Sequence, residues 1–293
     1  MSWPRTILAL SRPARLPSIW SNCLAGWWLG GGGNMEQLPF LFGGASFLYL
    51  GGVFLNDAFD AEYDRQHRRA RPIAAGSISH DAVWRWGLTW LVIGALLLLA
   101  IGRVAGNIAL GLVFLNVVYN AIHRLVTFSP VLKGMCRCLL YPLGASAAEH
   151  GITGWSLWCG LALGSYVTGA AYFSRWEETP RQARAWPVAL LSAPIFLALL
   201  MDANGYREPA LLLCGILVLL GLLAVRQAFW SLEREIQKTV GLLFAGVVFV
   251  DWLSACPVAS VIGQSNHAPR ELSLIFIGLF LGTLLLQKLA PEV

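Results

Sequence analysis

The chain has 293 residues, of which 57% are hydrophobic and 13% charged, and its mean hydropathy is +0.62. This composition excludes a soluble protein and indicates a polytopic membrane protein, because water-facing surface would be scarce. The net charge of +5 does not indicate nucleic-acid binding, since the basic residues are spread over several loops. We therefore expect an all-α membrane domain over residues 1–293 with no nucleic-acid partner.

Apolar runs of membrane length recur along the chain and predict a bundle of nine or ten transmembrane helices. A short basic, amphipathic segment, residues 3–15, precedes them and is expected at the membrane interface. The segment with Asp251 decides the count, because Pro257 follows it in a pattern compatible with a broken or re-entrant helix. The predicted spans are residues 16–33, 38–60, 83–102, 105–123, 132–149, 154–173, 187–202, 208–225, 238–256 and 271–289.

Charge is concentrated where the second span ends. Asp57, Asp60 and Asp64 stand at i, i+3 and i+7, so a continuous helix places three carboxylates on one face beside Asn56. Like charges one turn apart repel, and a hard cation such as Mg²⁺ would reverse the sign of that interaction. The alternative is a solvated cytoplasmic loop whose acidic and basic residues pair with one another.

A basic run follows the carboxylates, and its guanidinium groups are suited to phosphate oxygens. The members predicted to bind substrate are Arg65, Arg68 and Arg71.

The pattern Asn56-Asp57-x-x-Asp60-x-x-x-Asp64, followed by Arg71-Pro72, Gly76 and Ile78-Ser79, resembles the first aspartate-rich motif of the UbiA superfamily of intramembrane prenyltransferases. The resemblance implies a helical bundle around a central cytoplasm-facing cavity. It also implies that Mg²⁺ at the aspartates binds a prenyl diphosphate, whose prenyl group passes to an aromatic or lipid-like acceptor. Met135-x-Arg137 and Ser174-Arg175-x-Glu177 resemble the divergent UbiA-like member of bacterial ebo gene clusters.

The fourth span ends in a polar stripe that must face protein or a cavity. Its members are Asn116, Tyr119, Asn120 and His123. A histidine here is more often an interface residue than a base, because nothing acidic lies beside it in sequence. Lys133 and Arg137 open the fifth span at i, i+4; the resemblance implies contacts to diphosphate, and snorkelling anchors are the structural alternative.

The sequence departs from the superfamily at the end of the sixth span, where the family has a second pair of aspartates that supplies a second Mg²⁺. This chain has Glu177 and Glu178 there, and adjacent helical residues point about 100° apart, so at most one can readily face the first motif. Glu177 is favoured as the fourth metal ligand, because it accompanies Arg175 in the ebo-like pattern.

Ten crossings would put nearly all of the 21 lysines and arginines on one side of the membrane, the exceptions being Arg103, Arg207 and Arg270. The positive-inside rule then places the aspartate motif and the mouth of the site in the cytoplasm, with the chain in the inner membrane.

Three functions are compatible with these features. A prenyltransferase is favoured, a non-catalytic carrier of a prenyl-linked intermediate is the alternative, and a CDP-alcohol phosphotransferase is disfavoured because its Asp-Gly and Ala-Arg elements are missing. The acceptor cannot be inferred, since most of the 13 tryptophans suit the membrane interface.

Overall fold

The structure is a computed structural model whose described part is helical throughout, which confirms the all-α prediction for those residues. Short 3-10 turns at Pro13–Arg15 and Met35–Gln37 lead into the first two long helices. The described residues are 3–33, 35–178, 186–200, 207–229, 236–256 and 270–289.

The α-helices alternate between membrane-length segments and short pieces at the ends of the bundle. In chain order they are α1 (Trp3–Ser11), α2 (Leu16–Leu29), α3 (Leu38–Phe59), α4 (Ala61–His67), α5 (His80–Ile101), α6 (Arg103–Ile122), α7 (Ser129–Cys138), α8 (Leu140–Ser146), α9 (Gly154–Glu178), α10 (Pro187–Leu191), α11 (Ala193–Leu200), α12 (Arg207–Phe229), α13 (Ile236–Ala255) and α14 (Arg270–Leu289).

The helices follow the predicted spans in order, with two breaks that were not predicted. The fifth span is divided at Leu139 into α7 and α8, and the seventh is divided at Ser192 into α10 and α11. The possible break near Asp251 is not present in the described residues, because α13 continues without interruption to Ala255. Pro257 lies outside the described residues.

Five of the described helices are long and apolar enough to cross a membrane. They lie within Met35–Phe59, His80–Ile101, Arg103–Ile122, Ala210–Gln227 and Glu271–Leu289, and a shorter apolar helix spans Thr239–Ala255. The choice between nine and ten spans stays a prediction.

Six helices close a ring in which each packs against the next, and this ring positions the site. The order around the ring is α2, α3, α6, α7, α9 and α13. α5 packs against α3 and α6, while α12 and α14 pack against α13.

Glycines allow neighbouring helices to touch backbone to backbone. A β-carbon added at Gly94 of α5 would lie 2.8 Å from the carbonyl oxygen of Gly44 in α3 and 2.8 Å from the amide nitrogen of Leu48. Two turns further along α3, a β-carbon added at Gly51 would lie 2.8 Å from the carbonyl oxygen of Gly87 in α5. Lipid supplies no hydrophobic drive between helices, so this close van der Waals packing holds α3 in place.

We expect Gly94→Ala to lower the thermal stability of the purified protein, because backbone atoms cannot yield without separating α3 from α5. The expected loss is about 1–3 kcal/mol, the range for overpacking a tight contact. Gly278→Ala in α14 is the matched control, since a β-carbon there meets nothing within 4 Å. Thermal unfolding in detergent measures both variants, and equal melting temperatures would contradict the role assigned to the α3–α5 contact.

Candidate functional site

A cavity of about 890 Å³ lies at the end of the ring where α3 ends. Seven cationic side chains line it, together with the carboxylate of Asp60. These cations are Arg12, Arg15, Arg68, Arg71, Arg124, Lys133 and Arg175. A second hollow of about 430 Å³, beside Gly33 and Glu149, contains none of the predicted site residues. The larger cavity is therefore suited to a ligand with several negative charges.

Asp57 is buried at the end of α3 and is paired with two guanidinium groups. Arg12 donates to its Oδ1, and Arg71 Nη1 donates to the same oxygen over 2.7 Å. Arg12 Nη1 also lies 3.5 Å from the side-chain oxygen of Asn56. The N-terminal segment and the loop after α4 thus meet on one carboxylate.

Asp60 stands between α3 and α4 and pairs with the end of α6. Arg124 Nε donates to its Oδ1, and His123 Nε2 lies 3.2 Å from that oxygen. Burial alone would raise the pKa of Asp60, but the hydrogen bonds from His123 and Arg124, together with their charges, hold that pKa well below its ordinary value. The acidic partner that the sequence did not place beside His123 is therefore Asp60, 63 positions earlier.

Asp64 in α4 is buried, and its Oδ1 has no hydrogen-bond partner among the described residues. Burial raises the pKa of this carboxyl, an effect that the charge of Arg71 opposes and that the charges of Asp60 and Asp57 reinforce. Asp64 is thus the carboxylate of the motif most in need of a cation.

The expected stripe of three carboxylates is modified at Asp60, where α3 gives way to α4. Helical hydrogen bonds continue across this point, from the Asp60 amide to the Asn56 carbonyl over 3.0 Å and from the Asp64 amide to the Asp60 carbonyl over 2.9 Å. Even so, no three Asp, Glu, His or Cys side chains of the described residues converge as a ready metal site. The physical reason is that Asp57 and Asp60 each face their own cations.

The donor set fits a hard divalent cation in its chemistry. Asp57, Asp60, Asp64 and the amide of Asn56 supply oxygen ligands, and the buried Oδ1 of Asp64 lacks a partner within the described structure. Guanidinium groups now donate to Oδ1 of Asp57 and to Oδ1 of Asp60, so they would compete with a cation bound at those two oxygens.

The polar stripe of α6 faces both α3 and the cavity. Asn120 donates to the Gly52 carbonyl over 3.0 Å and accepts from Asn56 over 3.2 Å, so it ties α6 to the aspartate helix. Asn116 donates to its own helix at Leu112. Tyr119 and His123 line the cavity. Of the four, the two amides therefore belong to the helix interface instead of the cavity wall.

The three arginines after the motif lie in different surroundings. Arg68 and Arg71 line the cavity. Arg65 instead makes an exposed ion pair of 2.6 Å with Glu62. For this residue the structure agrees with the alternative interpretation, in which acidic and basic residues of a solvated loop pair with one another. Its predicted contact with substrate is corrected accordingly, because the side chain points to solvent from α4.

The two cations of α7 also differ in position. Lys133 lines the cavity, where its ammonium group lies 5.2 Å from the ring centre of Phe244, and Arg15 lies 4.8 Å from the same ring. Arg137 is buried and donates to Asn22 Oδ1 over 2.6 Å and to the carbonyl and hydroxyl oxygens of Ser18 over 3.1 Å. The predicted contact of Arg137 with diphosphate is corrected, because its guanidinium is bound to α2 and does not line the cavity.

Asn22 in turn connects Arg137 with the buried Asp251. Asn22 Nδ2 lies 2.8 Å from both carboxylate oxygens of Asp251, Tyr141 donates to the same carboxylate over 2.7 Å, and Ser21 donates as well. Asp251 therefore joins α13 to α2 and α8 instead of marking a helix break.

Arg175, near the end of α9, lines the cavity and clamps the connection between α6 and α7. Its Nη1 donates to the Val126 carbonyl over 2.7 Å and to Ser129 Oγ over 2.9 Å. The side chain of Glu177 lies outside the described residues.

The sequence did not single out Arg12, Arg15 and Arg124 as site residues. Each stands beside the start or end of a predicted span on the positively charged side, and that common depth is the signal that could have identified them.

Two isosteric variants should differ in their effect on stability in metal-free buffer at pH 7. Asp60→Asn removes a carboxylate stabilised by His123 and Arg124 and should lower the melting temperature. Asp64→Asn removes a buried carboxylate whose Oδ1 is unsatisfied and should leave it unchanged or raise it.

Both differences should shrink in acid. A lowered folded pKa stabilises the protein above the unfolded value of about 3.9, and that contribution is lost as the pH falls toward the folded pKa. A raised folded pKa destabilises it as the pH rises through the same unfolded value. Melting curves at pH 7 and at a pH well below about 3.9 test this, and a lower melting temperature for Asp64→Asn at pH 7 would contradict it.

Comparison with known proteins agrees with this geometry. The sequence model described as the UbiA prenyltransferase family matches residues 18–247. The digeranylgeranylglyceryl phosphate synthase of Pyrococcus horikoshii is 35% identical over 85 residues, which are 29% of this chain and 31% of that protein. The match therefore spans less than a third of that relative's length.

Solved structures show the same fold. The apo structure of a UbiA homologue from Aeropyrum pernix K1 has a TM-score of 0.67 at 18% identity, over 86% of this chain and 98% of its own. A structure described with digeranylgeranylglyceryl phosphate synthase in membranes has a TM-score of 0.65 at 17% identity, over 90% and 100% of the two chains. A UbiA homologue from Archaeoglobus fulgidus bound to DMAPP and Mg²⁺ has a TM-score of 0.50 at 15% identity, over 97% and 99%.

The likeness to these structures shows that the chain is a polytopic membrane helical bundle, as its composition predicted. Because the family model covers most of the sequence, this protein belongs to the UbiA prenyltransferase family.

Proposed function

We propose that this protein transfers a prenyl group from a prenyl diphosphate to an acceptor within the membrane, with Mg²⁺ as cofactor. The observation that supports it most is that seven cations and the carboxylate of Asp60 line one cavity, while Asp57 and Asp64 of the same motif are buried. The proposed metal ligands are Asp57, Asp60, Asp64 and Glu177. The homologue solved with DMAPP and Mg²⁺ supports the choice of metal and of a prenyl diphosphate as substrate.

Prenyl transfer requires the allylic carbon–oxygen bond to break as negative charge builds on the departing diphosphate. Bound Mg²⁺ would supply part of the charge that stabilises this group. Among the predicted residues, Arg68, Arg71, Lys133 and Arg175 line the cavity and are placed to donate to phosphate oxygens, with Tyr119 beside them. Asn56, Asn120 and Arg137 support this wall through their bonds to neighbouring helices, whereas Asn116 donates within its own helix.

A second metal is proposed only through Glu177, since the usual aspartate pair is replaced by Glu177 and Glu178. The nearby guanidinium of Arg175 could replace the charge of that metal, because it already lies at the cavity wall. The ebo-type resemblance, the single domain over residues 1–293 and the acceptor stay predictions.

A carrier for a prenyl-linked intermediate is the second candidate. It is favoured because Asp57 and Asp60 are already paired with the protein's own cations. Aspartates paired in this way need no catalytic metal, and the remaining cations of the cavity could bind a diphosphate without cleaving it.

Pyrophosphate release separates these functions. The purified protein, incubated with Mg²⁺, farnesyl or geranylgeranyl diphosphate and candidate acceptors, should release pyrophosphate. Asp60→Asn should lose prenyl diphosphate binding, because the variant removes the negative charge of one proposed ligand of the Mg²⁺ ion that holds the diphosphate. Glu177→Gln should lose more turnover than its matched control Glu178→Gln, since at most one of two adjacent helical residues can face inward.

The opposite results would favour the carrier. A parent protein that binds prenyl diphosphate but releases no pyrophosphate with any acceptor would contradict the transferase proposal. Normal prenyl diphosphate affinity in Asp60→Asn would contradict the assignment of the aspartate motif to the diphosphate site.

We also infer that the cavity opens to the cytoplasm and that the protein lies in the inner membrane. The positive-inside distribution of lysine and arginine supports this orientation. It gives the site access to soluble prenyl diphosphate.

Cysteine labelling of intact cells tests the orientation. Ala75→Cys, at an exposed position after α4, should be shielded from an impermeant maleimide added outside, whereas Ile152→Cys, exposed between α8 and α9, should react. The parent gives the background, because its six cysteines are buried or half-buried. Labelling at position 75 but not at 152 would reverse the topology.

A further inference from the structure

Arg12 has an unusual backbone for its position in the chain. Its φ of 42° and ψ of 59° place it in the left-handed region, and among the described residues no other non-glycine residue has a positive φ. Pro13 follows it, and a proline ring sterically restricts the preceding residue toward extended conformations. Such a conformation persists where the surrounding structure over-determines it, and it is typical of functional sites.

Contacts on both sides hold this strained residue. The Tyr49 hydroxyl donates to the Arg12 carbonyl over 2.8 Å. On the N-terminal side, Leu10 of α1 is fully buried in a cluster that includes Phe54 and Ala58, on either side of Asp57 in sequence. The interfacial helix is thus fixed against the helix that carries the aspartates, and the Arg12 side chain is aimed at their first member.

The ion pair that Arg12 makes is redundant for charge. Arg71 Nη1 already donates to Oδ1 of Asp57 over 2.7 Å, and Arg12 donates to the same oxygen. One carboxylate therefore carries two guanidinium groups, both of them at the cavity wall. A divalent cation on that oxygen would compete with them for its lone pairs and would repel them.

We propose that Arg12 is an internal cation that competes with the divalent metal for Asp57 and, once displaced, donates to the diphosphate in the cavity. This rests on the proposed function for the diphosphate itself. The competition gives Arg12 a positioning role with two opposite effects. Before the metal arrives it occupies Asp57 beside Arg71, and afterwards it adds a phosphate contact.

The test measures two affinities of the purified full-length protein in detergent. Mn²⁺ binding without phosphate is followed by electron paramagnetic resonance, and binding of inorganic pyrophosphate at saturating Mg²⁺ is followed by calorimetry. Arg12→Gln should bind Mn²⁺ more tightly and pyrophosphate more weakly, each by about tenfold, the factor that corresponds to roughly 1.4 kcal/mol. A purely structural residue would weaken both.

Two further variants complete the test. Tyr49→Phe removes the bond to the Arg12 carbonyl without changing charge, so it should shift Mn²⁺ affinity in the same direction by a smaller factor. Arg5→Gln, on the exposed face of the same α1 helix, should change neither affinity.

The signs decide the inference. Unchanged or weaker Mn²⁺ binding by folded Arg12→Gln overturns it, as does the absence of Mn²⁺ binding in both parent and variant. If Arg12→Gln does not fold, unchanged Mn²⁺ affinity in Tyr49→Phe overturns it. These measurements need no turnover, so they are distinct from the pyrophosphate-release test of the transferase.

Discussion

Buried carboxylates that need cations organise the end of this protein at which α3 ends. An ionised carboxylate removed from water is very costly unless it is paired, and the partners of Asp57 and Asp60 come from distant parts of the chain. Arg12 comes from the N-terminal segment, Arg71 from the loop before α5, and Arg124 from the end of α6. The same pairs that satisfy the aspartates therefore bring together the segments that form the cavity.

Close helix packing makes these pairs possible. The glycines of α3 and α5 let the two backbones touch, and Asn120 ties α6 to the other side of α3 at Gly52. With α3 held from two sides, its end is fixed in depth and rotation. A rigid helix is a better support for a ligand site than a loop, because its side chains keep their directions.

Most of what the sequence predicted has a local signal. Apolar runs revealed the long helices, and the spacing of Asp57, Asp60 and Asp64 revealed the motif. The breaks at Leu139 and Ser192 also have one that the predicted spans did not take into account, because Pro142 and Pro194 follow closely and a proline interrupts helical hydrogen bonding. The pairing of His123 with Asp60 and the burial of Arg137 against α2 depend on packing between segments that are distant in sequence. The periodicity of a single sequence does not reveal such contacts. Arg65 was predicted to bind substrate because it lies next to the aspartate motif in sequence. Its side chain, however, leaves α4 toward solvent, where it pairs with Glu62.

The Asp251 network has a consequence for the order in which the protein is assembled. Chains are synthesised from the N-terminus, so α2 and α8, with Arg137 beside them, enter the membrane long before α13 brings Asp251. Until then the early helices carry the positive charge of Arg137 without the Asp251 carboxylate, and the Tyr141 hydroxyl lacks the acceptor that it has in the folded protein. The ring can close in its final form once the late helix delivers the carboxylate, which makes α13 the piece that commits the newly made protein to its mature packing.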